Sequence, residues 1–498
     1  MKVILAGYNI DSQVIEEAKA AGISADKLTP EVISAAYARI SRNPAPVNEL
    51  RQAALNEVAK ARKSNRKIIF GMGHHSVAEH AVFNFDIIGL SRLAIEELEH
   101  FRLCSFTEKS QRYITLENDF VMPKELEGTP FTTKLETLID KQAKVYTELH
   151  QTLYQRLEKM HPELVAKKSG RNLVDGWAKE DARYATLLCT AGQLGFTANA
   201  RNLELVIKRL NGSSLTELQH LAKAFFDAGT TVAPSILLFT TPGAYDLNTP
   251  AELRTIAQNT LGTMDNPAPK ADVSLVHYTP NADRLVAAAL MCAASEHGFD
   301  TCRQAVATMD DTALKAVFEA AFSHMEFFDT PRREFEHVHV TFDISISAAA
   351  YGQLKRHRMM SQSMQRYRPA LGVTIPPAVE EIGQTDLFGS HCADAETLYL
   401  EIEPELPHIA PYVLTNAHRR RVLVTANLRD LYHFCRLRED AHAQWDIRIL
   451  AKRMREEAEK VMPMASLLLC GKDAFVQKFE TVFNRKPKID PANPPKID

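Results

Sequence analysis

EHAVFNFDIIGLSRLAIEELEHFRLCS, residues 79–105, is answered later in the same chain by EHVHVTFDISISAAAYGQLKRHRMMS, residues 336–361. Each opens on Glu-His, alternates apolar and polar residues through FDI, and continues into a run rich in helix formers. The alternation predicts a strand with one face in a core, and the run behind it predicts a helix, reaching from Ala348 to Arg358 in the second copy. The second copy is one residue shorter. Two more blocks recur in the same order. VILAGYNIDSQVIEEAKAAG from Val3 pairs with VSLVHYTPNADRLVAAALMC from Val273, and TANARNLELVIKRL from Thr197 pairs with TANLRDLYHFCRLR from Thr425. Three blocks in one order mark a tandem duplication. Each unit reads as strand and helix, a long helical stretch, the alternating strand with its helix, and a last helix carrying Asn and Arg in its first turn. The expected fold class is therefore α+β, present twice.

Length supports two domains, since 498 residues exceed what one hydrophobic core serves. We place copy one at 1–245, a Pro-, Gly- and Asn-marked linker at 246–271, copy two at 272–484 and a Pro-rich loose tail at 485–498. A net charge of −3, with 45% hydrophobic and 24% charged residues, describes a globular chain and argues against a nucleic-acid partner. No apolar run approaches the roughly 18 residues of a membrane span, and the first residues read as strand and helix rather than a signal peptide. The seven cysteines are scattered without a CxxC pair, the pattern of reduced thiols. The expected location is cytoplasmic, with no membrane partner.

RHRMMSQSMQRY, residues 356–367, places Arg356, His357 and Arg358 in a row and adds Arg366. Such cations repel one another unless an anion sits among them, so the stretch asks for an anionic ligand.

The blocks resemble the flavin-dependent thymidylate synthases over most of both copies. GHHSVAEH (73–80) resembles that family's GHxSxxEH element, and SFTEKSQRY (105–113) its SxxxxSxRY loop. QLKRHR (353–358) resembles the helix end with RHR, and NLRDLYHFCRLREDAHAQWDIR (427–448) the closing NxR, LxR and AQxEIR elements. The copies depart from the pattern in complementary ways. Copy one has His100, Phe101 and Arg102 in place of RHR, Glu97 in place of the preceding Gln, and Leu210 in place of the last Arg. Copy two lacks GHxS before Glu336, has the shortened loop SQSMQRY, and carries Pro411 where copy one keeps an upstream arginine, Arg183.

The resemblance implies two tandem copies of the flavin-dependent thymidylate synthase fold, FAD as cofactor, and reductive methylation of dUMP with methylenetetrahydrofolate and NADPH as co-substrates. In that family sites lie between subunits of a homotetramer, so each copy here would keep the half it contributes to a composite site. The partners are then small molecules, dUMP and folate, and the assembly a homodimer that mimics the tetramer. The implied catalytic residues are Ser110, Arg112 and Arg438. Those for dUMP are Glu108, Ser110, Arg112, Arg183, Gln353 and Arg438. Those for FAD are Ser76, Glu79, Arg356, His357, Arg358, Asn427, Arg429 and His433. Forked guanidinium groups suit the phosphates of both ligands and the uracil carbonyls. Two alternatives stand beside this one: a diverged flavoenzyme of the same fold acting on another pyrimidine nucleotide, and a non-catalytic nucleotide- or flavin-binding relic.

His75, Glu79 and His80 are metal-ligand types, but three residues separate His75 from Glu79 where an inverted zincin has two, and we assign no metal. HRRR at 418–421 reads as a solvated face.

Overall fold

The computed structural model describes residues 1–10, 14, 20, 28–40, 43–71, 73–112, 119–264 and 271–489. Tyr113, part of the linker and the end of the tail, as well as most of the first expected helix, lie outside these residues.

The duplication is present in the strand order itself. In copy one β1 (Lys2–Tyr8), β2 (Val82–Ser91), β3 (Ser105–Glu108) and β4 (Ala191–Asn199) form an antiparallel sheet ordered β1-β2-β4-β3. In copy two β5 (Val273–Tyr278), β6 (His339–Ser347), β7 (Ser361–Met364) and β8 (Arg419–Asn427) are ordered β5-β6-β8-β7. Register repeats as well: Val82 faces Asn199 as His339 faces Asn427, and Ser105 faces Thr197 as Ser361 faces Thr425. The extra residue of copy one is a β-bulge. Register shifts between Ile88 and Leu90, and Gly89 between them has φ +74°, a backbone state that glycine adopts without strain.

Alternation puts Phe83, Phe85 and Ile87 of β2 into the core, and Val340, Phe342 and Ile344 of β6 into theirs. Burying each contributes about 1.5–3 kcal/mol. Phe85, Phe196 and Phe225 pack with ring centroids 4.9–6.1 Å apart.

Four helix starts are fixed by the same polar residues in both copies. Ser91 caps α1 (Arg92–Glu99) by accepting from the Ala94 amide, and Asn199 caps α3 (Ala200–Asn211), which lies beyond the long α2 (Pro130–Met160). Ser347 caps α5 (Ala348–Leu354), and Asn427 caps α7 (Leu428–Arg438). A carboxylate from the next helix holds each serine: Glu217 of α4 (Thr216–Val232) accepts from Ser91 at 2.6 Å, and Asp446 of α8 (Trp445–Val461) accepts from Ser347 at 2.6 Å. The Thr-Ala-Asn triplets, expected within helices, instead end strands β4 and β8 because Asn is the cap.

The compact units do not follow the two copies residue for residue. One unit is Met1–Asn266 with Pro377–Thr415, the other Pro267–Pro376 with Asn416–Asp498. The exchanged piece carries α6 (Thr385–Ile402), which packs on α2 in the first unit. Both helices bury residues at spacings of three and four: Leu135, Leu138, Ile139, Gln142, Val145 and Tyr146 on α2, and Phe388, His391, Cys392, Ala395, Leu398 and Tyr399 on α6. Lys134–Glu401 and Lys141–Asp394, each 2.5 Å, show the helices antiparallel. Among the described residues no helix is long and apolar enough to cross a membrane.

Candidate active site

In the second unit α5 stops at Leu354, earlier than expected, so Arg356, His357 and Arg358 lie in the turn beyond it. Two contacts fold that turn. The His357 amide donates to the Leu354 carbonyl (2.9 Å), and the Gln362 side chain on β7 donates to the Leu354 and His357 carbonyls (both 3.2 Å). The turn buries the His357 ring at 8% exposure, leaves Arg356 exposed and half-buries Arg358. His357 packs edge-on to Phe434 and His433, with centroids 4.9 and 5.7 Å away.

Arg438, at the end of α7, reaches into the same place. Its Nε donates to His357 Nε2 (2.8 Å) and its Nη1 to Gln353 Oε1 (3.2 Å). Because Nε2 accepts, His357 is the neutral tautomer with its proton on Nδ1. Burial pushes its pKa well below the ordinary histidine value, and the charges of Arg438, His433, Arg358 and Arg356 push the same way. Burial likewise lowers His433, Asp430 opposing. Gln353 is buried at 8% exposure, and its Nε2 has no hydrogen-bond partner among the described residues. A buried amide donor left unmade costs about 1–3 kcal/mol.

The first unit brings together a different group. Arg183 opens the 3-10 turn Arg183–Ala185, and Pro411 sits in the matching turn of copy two, Ala410–Val413. Arg183 is 8% exposed and donates to the Glu180 carbonyl at 3.2 Å. Burial lowers its pKa; Glu180 opposes, and nearby Arg112 and Arg92 add to the shift. Arg112 donates to Glu180 Oε2 (3.0 Å), and its amide donates to Ser110 Oγ (3.2 Å), so the serine shapes the turn that presents the arginine. Glu108 accepts from Arg92 (2.9 Å), which also bridges Glu96 (3.4 Å). Arg92, Glu108 and Ser110 line one small recess.

Ser76 and Glu79 lie exposed on the 3-10 turn His75–His80, apart from that group in their bonding. Glu79 accepts from Arg201 (2.5 Å) just as Glu336 accepts from Arg429 (2.9 Å). Arg429 also donates to the Pro331 carbonyl (2.8 Å), and Asn427 Nδ2 to Asp430 (2.9 Å). The Glu, Asn and Arg of the expected flavin set are thus each engaged within their own copy.

Sequence reasoning missed Arg92 and Gln362, for which no motif signal exists. It also misjudged HRRR: strand alternation buries His418 at 0% and Arg420 at 5%, the latter's guanidinium 4.3 Å from the Tyr367 ring centroid and 5.0 Å from that of Tyr351.

The fold and these clusters define a duplicated α+β protein in which each copy gathers a different group of polar and cationic side chains. The pattern of the family described as thymidylate synthase complementing protein matches twice, over residues 25–235 and 274–464, and the chain belongs to that family as a tandem duplication. A UPF0159 protein of Chlamydia muridarum is 26% identical over 451 residues, 86% of this chain and 83% of the relative. A flavin-dependent thymidylate synthase of Sulfurisphaera tokodaii is 32% identical over 200 residues, 39% of this chain and 75% of its own. A solved UMP/dUMP methylase of Streptomyces cacaoi is 18% identical, covering 43% of this chain and 96% of its own, with a TM-score of 0.31.

Proposed function

We propose that this chain catalyses FAD-dependent conversion of dUMP to dTMP, with methylenetetrahydrofolate as carbon donor and NADPH as reductant. The observation that carries the reading is the Arg438–His357–Gln353 cluster, with its buried, unpartnered Gln353 Nε2. It fits a ligand that presents carbonyl acceptors and negative charge, as both a uracil nucleotide and a flavin do. Arg356, His357 and Arg358 would hold the flavin, with Asn427, Arg429 and His433 beside them and Ser76 and Glu79 from copy one. Bound, the flavin supplies the hydride that completes the methyl group.

The chain's own residues would bind and polarise. Neutral His357 accepts from Arg438 and so holds the guanidinium in one orientation. A guanidinium fixed before the substrate arrives stabilises charge developing on a uracil carbonyl without reorganising. Arg112 and Arg183 would meet the phosphate and uracil oxygens, Ser110 shaping the turn and Glu108 orienting Arg92. No cysteine nucleophile is called for. Overall, dUMP, methylenetetrahydrofolate, NADPH and a proton give dTMP, tetrahydrofolate and NADP⁺, the C5 hydrogen leaving as a proton. We further propose composite sites that draw on both copies, in a homodimer.

Tritium release from [5-³H]dUMP with both co-substrates tests this. Release with dTMP formation is expected, and Arg183→Ala and Arg438→Ala should each lose it. Restored release on mixing the two variants would place these arginines on different chains. Flavin reduction without release would replace this reading with that of a flavoenzyme acting on another nucleotide.

A further inference from the structure

A cavity also lies beside α7 in the same unit. It is an open pocket of about 260 Å³ between the loop before β6, with Phe327, Phe328 and Thr330, the α7 residues Tyr432 and Arg436, and Lys472. Of the residues assigned above it touches His433 alone.

Its wall carries two cations, although Phe328, Asp329, Thr330, His433 and Leu437 along it are exposed to solvent. Arg436 lies 4.4 Å over the Phe475 ring and Lys472 5.3 Å over the Phe327 ring. Neither side chain makes a hydrogen bond or ion pair among the described residues, and Arg436 Nη1 is buried without a hydrogen-bond partner. Other arginines of the same unit have an acid at hand: Arg429 has Glu336, and Arg455 has Glu439 and Glu459. The one carboxylate on the wall, Asp329, accepts the Glu326 amide at 2.9 Å, and its charge acts on Arg436 without an ion pair between them. A buried guanidinium donor without a partner carries a desolvation cost that an incoming acceptor removes.

We propose that this cavity binds a single planar ring bearing an oxyanion. Arg436 and Lys472 would take the oxyanion, and Phe327 and Tyr432 would pack against the ring. A cavity of about 260 Å³ is large enough for one ring and its substituent. The oxyanion is a carboxylate or a phosphate; guanidinium and ammonium donors accept either. The inference does not depend on dUMP methylation.

Calorimetric titration of the full chain with four probes tests it: benzoate, phenyl phosphate, inorganic phosphate and benzyl alcohol. Benzoate or phenyl phosphate should bind, the tighter of the two naming the oxyanion. Inorganic phosphate, lacking the ring, and benzyl alcohol, lacking the charge, should each bind about tenfold more weakly or worse. Arg436→Gln should cost about tenfold in affinity. Should that variant misfold, Lys472→Gln should also weaken binding. Arg438→Ala, in the neighbouring cluster, should leave it intact. Equal binding of benzyl alcohol, indifference to both cation variants, or loss of binding with Arg438→Ala would each overturn the proposal.

Discussion

Phe101 and His357 occupy the same turn in the two copies. The Phe101 amide donates to the Leu98 carbonyl at 3.3 Å and the His357 amide to the Leu354 carbonyl at 2.9 Å. Around this shared backbone the chemistry differs at three places together. Copy two has Gln353, His357 and Arg438 in one hydrogen-bonded cluster, and copy one has Glu97, Phe101 and a buried Leu210. The reverse holds one turn away. Copy one buries Arg92 against Glu96 and Glu108, where copy two has Ala348, Gly352 and Met364.

The difference teaches that polar clusters are lost whole. Removing Arg438 alone would strand a buried His and Gln, and removing Glu108 alone would strand much of the charge of Arg92; each orphan costs more than the complete cluster contributes. The members of such a cluster therefore differ together between the copies while the backbone stays.

The sharpest way to break the comparison is to exchange the residues of the shared turn. His357→Phe, which installs the copy-one residue, should lower dUMP turnover by about 10²–10³, the scale of losing a preorganised charged donor. Phe101→His should leave turnover within about twofold, because Leu210 offers it no guanidinium. Equal losses from the two changes would mean that the copies are functionally equivalent and that the asymmetry is decorative.

A smaller effect concerns pH. His357 is held neutral in the fold, whereas an unfolded histidine takes up a proton below about pH 6.5. The unfolded state then binds more protons, so acidification through this range removes stability, by at most roughly 1.4 kcal/mol for each pH unit until His357 itself protonates. Above pH 6.5 neither state is protonated and the contribution is flat. Unfolding midpoints measured at pH 7.5 and 5.5 should therefore fall further for the native chain than for His357→Phe. A variant that loses as much as the native chain would show that His357 is protonated in the fold and that the Arg438 contact is not as described.

Much of this was legible because it is periodic or repeated. Alternation announced β2 and β6, self-similarity announced the duplication, and complementary losses separated Arg183 from Arg438. What sequence hid is set by three-dimensional neighbours. The serine-bearing stretches at 105–108 and 361–364 read as loops, yet both are edge strands, whose short length and hydroxyls suit an unpaired side. HRRR reads as surface until strand alternation turns Arg420 between two tyrosines. The early stop of α5 depends on Gln362, eight residues beyond its last carbonyl. The exchange of α6 into the first unit depends on its match to α2, more than two hundred residues away.

The smallest effect sharpens the comparison where the copies look most alike. Glu79–Arg201 and Glu336–Arg429 tie the same 3-10 turn to the same last helix, but the first pair is 41% and 53% exposed and the second 28% and 35%. An exposed pair contributes little, about 0–0.5 kcal/mol, because water screens it and two long side chains must be ordered. The second pair is better sheltered, and its arginine also satisfies the Pro331 carbonyl. Glu336→Ala should therefore speed amide exchange in residues 333–337 by about fivefold, while Glu79→Ala should change exchange in residues 75–80 by less than about twofold. An effect of Glu79→Ala as large as that of Glu336→Ala would mean that the copy-one turn is sheltered by something other than its own chain neighbours, as a shared site in an assembly would require.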